Sequence, residues 1–150
     1  GVAEAIAEAS HLQKQSEALR AFQREAGRDG GVLSGSHANW PEGVASPPWP
    51  PQSILLGDFN MSPDEAAYTA MVGSDDPKYG RITEYDGYLD AWILQDGAPD
   101  GGHTKYEPTG NRRIDYAFVS PDLAEAVRSV HVDKDAQGSD HQPLWLDIDL

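Results

Sequence analysis

Apolar residues recur at three- and four-residue steps from Val2 to Arg28, which is the spacing of one face of a helix. The positions that carry this pattern are Ile6, Ala9, Leu12, Leu19, Phe22 and Ala26. Gly27 and the pair Gly30-Gly31 follow at once, and glycines in that place end helices. The pattern therefore predicts one long N-terminal helix.

Residues 29–52 are rich in Gly, Ser and Pro and close with the run Pro47-Pro48-Trp49-Pro50-Pro51. Because proline lacks a backbone N–H and fixes φ, this stretch cannot form a helix or an inner strand. Two interpretations stay open. The segment is either a long surface loop or the lip of a substrate site, in which Trp40 and Trp49 contact a base or a lipid.

Short elements follow this segment. Ser53–Leu56 is apolar, which is typical of a short strand buried on both faces. A helix is predicted from Pro63 to Val72, because proline fits the first helical turn and Asp64-Glu65 suit its positive N-terminus. Gly73 is expected to end this helix.

The C-terminal half predicts mostly strands. Residues 74–87 are predicted to form a polar loop, and Leu89 to Leu94 is a short apolar element of uncertain type. Four strands are predicted, at residues 103–106, 113–120, 127–132 and 144–150. The last one alternates most clearly, with one set of residues on each face: Leu144, Leu146, Ile148 and Leu150 against Trp145, Asp147 and Asp149.

The composition limits the classes of function. A length of 150 residues suits one domain, and the apolar fraction allows a core. The chain has 25 acidic against 11 basic residues, so it gains little from the phosphate attraction that drives nonspecific nucleic-acid binding. It contains no cysteine, which excludes disulfides, thiol catalysis and cysteine-based zinc sites. No apolar run is long enough to span a membrane, and the compartment stays open.

Polar groups with reactive chemistry stand where apolar runs meet turns. The first segment is Ile54-Leu55-Leu56-Gly57-Asp58-Phe59-Asn60, the second is Arg113-Ile114-Asp115-Tyr116, and the third is Ser139-Asp140-His141-Gln142-Pro143-Leu144. A sheet fixes the geometry of groups at its strand ends, and the following loop leaves them open. The side chains of Asp58, Asn60, Asp115, Asp140 and His141 therefore make a candidate metal-assisted hydrolytic site.

Each of these residue types suits one task in phosphate-ester hydrolysis. Asp58 is the candidate to hold and deprotonate water, and Asn60 can donate its amide hydrogens to a phosphate oxygen. Asp140 offers a hard oxygen ligand to Mg²⁺, Mn²⁺ or Ca²⁺. Asp115 would hold His141 in one tautomer, so that the imidazole can donate to a non-bridging oxygen.

Each of these residue types also has a purely structural interpretation. An Asp after a strand is common in turns, and an Asp before a helix often only caps it. Arg112 and Arg113 either line the path of the phosphate as substrate-binding residues or are ordinary salt-bridge partners. Asp90 is expected to be a cap or a structural hydrogen-bond acceptor.

The three motifs in this order resemble the endonuclease/exonuclease/phosphatase superfamily. The resemblance extends from about Ile6 to Leu150, and that superfamily includes deoxyribonucleases, abasic-site endonucleases, inositol-polyphosphate phosphatases and sphingomyelinases. It implies an α/β (α+β) fold, half of a four-layer α/β/β/α sandwich, with a mainly antiparallel or mixed sheet and helices on one face. Residues 1–150 would be the C-terminal portion of the domain. The N-terminal half, with a metal-binding Glu, would be missing.

The resemblance also implies a reaction. The expected activity is divalent-metal-dependent hydrolysis of a phosphate ester, with Mg²⁺ (or Mn²⁺ or Ca²⁺) as cofactor and a phosphodiesterase or nuclease type of substrate. The alternatives are a phosphomonoesterase, a lipid phosphodiesterase and, of another class, an inactive interaction module. The expected partners are a nucleic acid, phospholipid or small phosphodiester and the missing N-terminal half, so the chain alone is expected to be weakly active or inactive.

Overall fold

A computed structural model describes residues 2–29, 52–95, 97–98 and 100–150. Most of the Gly/Pro-rich segment, including Trp40 and Trp49, lies outside the described residues. Its two interpretations, a surface loop and the lip of a substrate site, therefore both stay predictions.

The predicted N-terminal helix is present as α1 (Val2–Asp29). It packs against α2 (Ala66–Val72), and half-buried Leu12 contacts the core there. Much of its apolar stripe does not enter the core, since Ile6 is 65% and Leu19 40% exposed. Helix α2 begins three residues later than predicted, because Pro63 lies in a turn that precedes it.

The central sheet has three antiparallel strands in the order β1 (Ile54–Asp58), β7 (Asp115–Val119) and β4 (Leu89–Asp90). Strand β7 lies in the middle, and its residues are almost all buried. Strand β1 pairs with β7 alone among the described strands, and Leu56 is 62% exposed. The expectation that this strand is buried on both faces is therefore wrong, because it lies at the edge of the sheet.

Two cores cover the faces of this sheet. Successive residues of a strand point to opposite faces, and β7 sends Tyr116 and Phe118 into one core and Ala117 and Val119 into the other. The first core is closed by α2, with α1 packed against it, and also holds Met61, Tyr68, Met71 and Tyr88. Burying these side chains, at about 25 cal/mol per Å² of apolar surface, is the main force that fixes β7 in place.

The second core lies under a hairpin and two short helices. The hairpin is β8 (Val127–Val132) and β9 (Leu144–Ile148), and the helices are α3 (Ala91–Leu94) and a 3₁₀-helix, Pro121–Ala126. The predicted alternation of β9 is confirmed for Leu144, Leu146 and Ile148. It is wrong for Leu150, which lies beyond the end of the strand and is 92% exposed.

Two further hairpins complete the described elements. One is formed by β2 (Ser74–Asp76) and β3 (Gly80–Ile82), where a polar loop was predicted. The other is formed by β5 (Lys105–Glu107) and β6 (Gly110–Arg112). Among the described residues the strand pairings are all antiparallel, and the helices make the fold α+β, as predicted. The half-sandwich arrangement and the missing N-terminal half stay predictions.

None of the described helices combines the length and the apolar character that crossing a bilayer requires.

Candidate functional site

Asp58 and Asp115 lie opposite each other at one end of the β1–β7 pair. Asp58 is the last residue of β1, Asp115 is the first of β7, and the antiparallel register pairs them. The turn after β1 is held by its own polar groups, because the Asp58 Oδ1 accepts a hydrogen bond of 2.8 Å from the Asn60 N–H. Asn60 has a φ of 52°, a left-handed conformation that asparagine tolerates better than most residues.

His141 reaches the same place from the loop between β8 and β9. Its Nδ1 lies 2.9 Å from the Asp115 Oδ2, so the hydrogen bond predicted for this pair is present. An ionised carboxylate only accepts hydrogen bonds, and we therefore assign the Nδ1 proton to this contact. The other ring nitrogen, Nε2, is therefore not in contact with Asp115.

Asp58, Asp115 and His141 form a group that could hold a cation. Each offers one ligand atom, and the three atoms lie within 4.8 Å of one another. Asp58 is exposed and the other two are half-buried, so the group is open on one side. Two carboxylate oxygens suit a hard divalent cation such as Mg²⁺ or Mn²⁺, so the residues present fit the metal that the resemblance implies.

Thr104 connects the segments that carry this group. Its side chain is fully buried, and its Oγ1 accepts from the backbone N–H groups of Ile114 (3.3 Å) and Asp115 (3.2 Å). Its carbonyl oxygen accepts from the Gln142 N–H at 2.6 Å. The start of β7 and the loop that carries His141 are therefore fixed to one buried residue. No local pattern indicated this role of Thr104, beyond the predicted strand in which it stands.

Lys105 lies beside the group and was also missed by the sequence reasoning. Its backbone forms an isolated antiparallel bridge with His141, and its Nζ lies 3.4 Å from the His141 Nε2. The same ammonium is 3.2 Å from the Asp140 Oδ2 and 3.8 Å from the Glu107 Oε1. The only available clue was the cationic side chain next to a predicted strand end.

Asp140, the predicted metal ligand, points toward this ammonium. The hydrogen bond from Lys105 and its charge lower the pKa of Asp140. Among the described residues, the group of atoms within 4.8 Å does not include Asp140, which is largely exposed. Its role as a metal ligand stays a prediction.

The two arginines differ in their surroundings. Arg112 ends β6 opposite Lys105 and is half-buried, so it lies near the site. Arg113 is only 4% exposed, and its guanidinium pairs with buried Asp90. Of the two roles considered for it, Arg113 therefore has that of a salt-bridge partner, since it lacks the exposure that contact with a substrate needs.

Asp90 has the structural role expected of it. Its Oδ1 accepts from the Trp92 N–H at 3.0 Å and caps α3, and its Oδ2 accepts from the Tyr68 hydroxyl at 2.8 Å. Burial and the Asp90 charge raise the pKa of Tyr68 well above its usual value, so that hydroxyl stays protonated. Burial alone would lower the pKa of Arg113, but the charge of Asp90 outweighs it and the pKa is raised.

Two depressions flank the group. One of about 490 Å³ is lined by Asp58 and Asn60 together with apolar residues of α1 and Phe59. The other, of about 450 Å³, is lined by Asp115 and His141 together with Leu56, Pro143 and Leu144. The candidate cation ligands therefore lie between two cavities of similar size.

A family model described as the endonuclease/exonuclease/phosphatase family matches residues 16–141. The match includes α1 from Ser16 onward, the turn after β1, the start of β7 and His141. A search of curated proteins found no match. Members of the family are generally metal-dependent phosphoester hydrolases. The matched region is most of the chain and contains every residue of the Asp58–Asp115–His141 group, so the chain belongs to the endonuclease/exonuclease/phosphatase family.

Proposed function

We propose that this chain hydrolyses phosphodiesters with the help of a divalent cation, at the Asp58–Asp115–His141 group. One observation carries the proposal, namely that the ligand atoms of these three residues lie within 4.8 Å of one another. Acidic groups placed so close together repel one another, and a bound cation relieves that repulsion. Family membership supports hydrolysis of phosphoester bonds as the reaction class.

The side chains divide the work in the way that their positions allow. Asp58 is open to solvent at the end of β1 and accepts the proton of the attacking water. His141, oriented by its Nδ1 contact to Asp115, donates from Nε2 to a non-bridging phosphate oxygen. The amide of Asn60, in the exposed turn, donates to a second oxygen.

A divalent cation would be held by carboxylate oxygens of Asp58, Asp115 and Asp140, because the Nδ1 of His141 contacts Asp115 and its Nε2 is assigned to the substrate. When bound, it supplies positive charge beside the phosphoryl oxygens and the leaving oxygen. The two depressions on either side of the group favour a diester over a monoester, because a diester carries one organic substituent on each side of phosphorus.

A lipid phosphodiesterase is the second candidate. The depression beside Asp58 is lined mainly by apolar residues, including Leu12, Leu19 and Phe59, and would suit an apolar substituent. Sphingomyelin or a phosphoinositide in detergent, tested beside a dinucleotide, separates this candidate from a nuclease-type substrate. Faster turnover of the lipid would favour it.

The proposal is tested by the hydrolysis of bis-p-nitrophenyl phosphate and p-nitrophenyl phosphate with Mg²⁺ or Mn²⁺. We expect turnover of the diester to exceed that of the monoester and to stop with EDTA. A version of the chain extended upstream, assayed in parallel, tests the expectation that a further segment completes the site. If neither version hydrolyses either ester above the EDTA control, the proposal is wrong and the inactive-module alternative gains support.

A further inference from the structure

A cationic side chain, that of Lys105, lies beside the His141 Nε2. Asp115 occupies the other ring nitrogen, so Nε2 is the atom of this imidazole that can meet a substrate. The Lys105 Nζ lies 3.4 Å from it. When the ring carries a proton on Nε2 as well as on Nδ1, Nε2 and Nζ are two donors that can each reach an oxygen of one phosphate at a hydrogen-bond distance of about 2.8 Å.

The backbone holds Lys105 in this place. Strand β5 pairs with β6, the residue bridges to His141, and the preceding Thr104 is fully buried. The Lys105 side chain is 23% exposed, so part of it is accessible to solvent. A four-carbon stem allows the tip to move between partners at small cost.

The charges around the group explain why a cation is needed there. Asp58, Asp115, Asp140 and Glu107 place four carboxylates in or beside the group, and the whole chain has a formal charge of −14. An anionic phosphate would be repelled by this surface, and an ammonium beside Nε2 offsets that repulsion where the phosphate must lie.

We infer that Lys105 is a substrate-binding residue, which together with the His141 Nε2 binds the phosphoryl group of the substrate. The inference rests on the proposed function, because the anion concerned is the phosphate of that substrate. The rival role is a counter-ion of Asp140 alone. In that case, removing the ammonium would leave the affinity for phosphate unchanged.

The test uses inorganic phosphate as the probe and calorimetric titration as the measurement, in the presence of Mg²⁺. We expect Lys105→Met to bind phosphate about tenfold more weakly or worse, because a charge-assisted hydrogen bond is lost. Lys105→Arg keeps the charge and is expected to stay within about threefold of the original chain. Lys78→Met is the matched control, since Lys78 lies in the β2–β3 turn over the Tyr79 ring.

The outcomes separate this inference from the proposed function. Wild-type affinity in Lys105→Met, or no phosphate binding by the original chain, would overturn the role of Lys105. If Lys105→Met binds phosphate more weakly but the original chain hydrolyses no diester, the phosphate-binding role of Lys105 is supported and the proposed reaction is not. If the chain hydrolyses the diester and Lys105→Met leaves the KM unchanged, the substrate-binding role of Lys105 is wrong and the proposed reaction still stands. Unfolding midpoints show whether Lys105→Met is folded, and if it is not, Lys105→Gln takes its place.

Discussion

Asp115 is held from three directions at once. Its backbone N–H donates to the Thr104 Oγ1, its carboxylate accepts from the His141 ring, and its strand position is paired with Asp58. A carboxylate restrained in this way can orient an imidazole without moving when a substrate arrives. The geometry of the site therefore depends on Thr104 as much as on the residues that would meet a substrate.

We expect Thr104→Val to destabilise the chain by about 1–3 kcal/mol, because one buried and one partly buried backbone N–H group lose their acceptor. Thr104→Ser keeps the hydroxyl and should recover the kcat that valine loses. Urea unfolding measures the stability, and diester turnover measures kcat. Equal kcat in the valine and serine variants would show that the hydroxyl does not position Asp115.

The ion pair between Asp90 and Arg113 is buried, with 5% and 4% of each residue exposed. Asp90→Asn leaves the guanidinium without its carboxylate in the interior, and we expect a loss of about 3–5 kcal/mol. Glu84→Gln, at a pair in which the Glu84 side chain is exposed and Arg20 keeps Asp86 as a second partner, is the control and should cost about 1 kcal/mol or less. Similar losses in both variants, measured by urea unfolding, would contradict this account.

For single residues, the sequence predicted which side chains the fold brings together when each one stands in a local motif. Asp58, Asp115 and His141 stand at strand ends or in a short motif, which a single pass along the chain can find. Thr104 and Lys105 gain their contacts from the packing of β5 against the loop that carries His141, and no local pattern reveals that packing. Arg113 could not be assigned because its burial depends on Asp90, which lies 23 residues earlier.

Helix α1 is fastened to the rest of the fold by charged groups as well as apolar ones. Arg20 donates to the Ala70 carbonyl oxygen of α2 at 3.1 Å and pairs with Asp86 at 3.0 Å. Arg24 pairs with the other oxygen of Asp86 at 3.2 Å. Because part of the apolar stripe of α1 is exposed, these ion pairs supply part of its attachment.

The attachment of α1 should weaken in acid. Burial alone would raise the pKa of Asp86, but hydrogen bonding from Arg24 and the charges of Arg20 and Arg24 outweigh it and lower the pKa below 3.8. A lowered carboxyl pKa stabilises the fold above the unfolded value, and this contribution is lost as the pH falls through the folded value.

We therefore expect the difference in unfolding free energy between the original chain and Asp86→Asn to be constant above about pH 5 and to shrink below 3.8. Urea unfolding at a series of pH values measures it. A difference that grows on acidification would contradict the pairing.

The longer helices and strands could be predicted from the sequence, and the shortest strands could not. The long periodic helix α1 and the alternating strand β9 were predicted correctly, apart from Leu150. The hairpin β2–β3 was missed because its strands have three residues each and carry charged side chains. Strands of that length have too few residues to show an alternation.

The net charge of the chain limits its nonspecific affinity for nucleic acids. A formal charge of −14 repels a phosphate backbone, so nonspecific attraction cannot supply affinity. We expect the chain to bind a double-stranded oligonucleotide more weakly than about 100 µM at physiological salt without a divalent cation. Fluorescence anisotropy measures this, and a micromolar dissociation constant under those conditions would contradict the argument.

The α+β class of the described residues was predictable because the three motifs pointed to a family with that fold. The way in which β7 divides its residues between two cores was not. It follows from the position of the strand in the middle of the sheet, and the strand order depends on contacts between distant segments.

The kcat for bis-p-nitrophenyl phosphate with Mg²⁺, compared between Asp58→Asn and Asp147→Asn, tests whether hydrolysis takes place at the Asp58–Asp115–His141 group. Asp147 is an exposed residue of β9 and controls for the loss of one negative charge. We expect Asp58→Asn to lower kcat by about 10²–10⁴-fold, the usual cost of removing a general base, and Asp147→Asn to leave it unchanged. Metal-dependent turnover that Asp58→Asn retains as fully as Asp147→Asn would contradict the site described here.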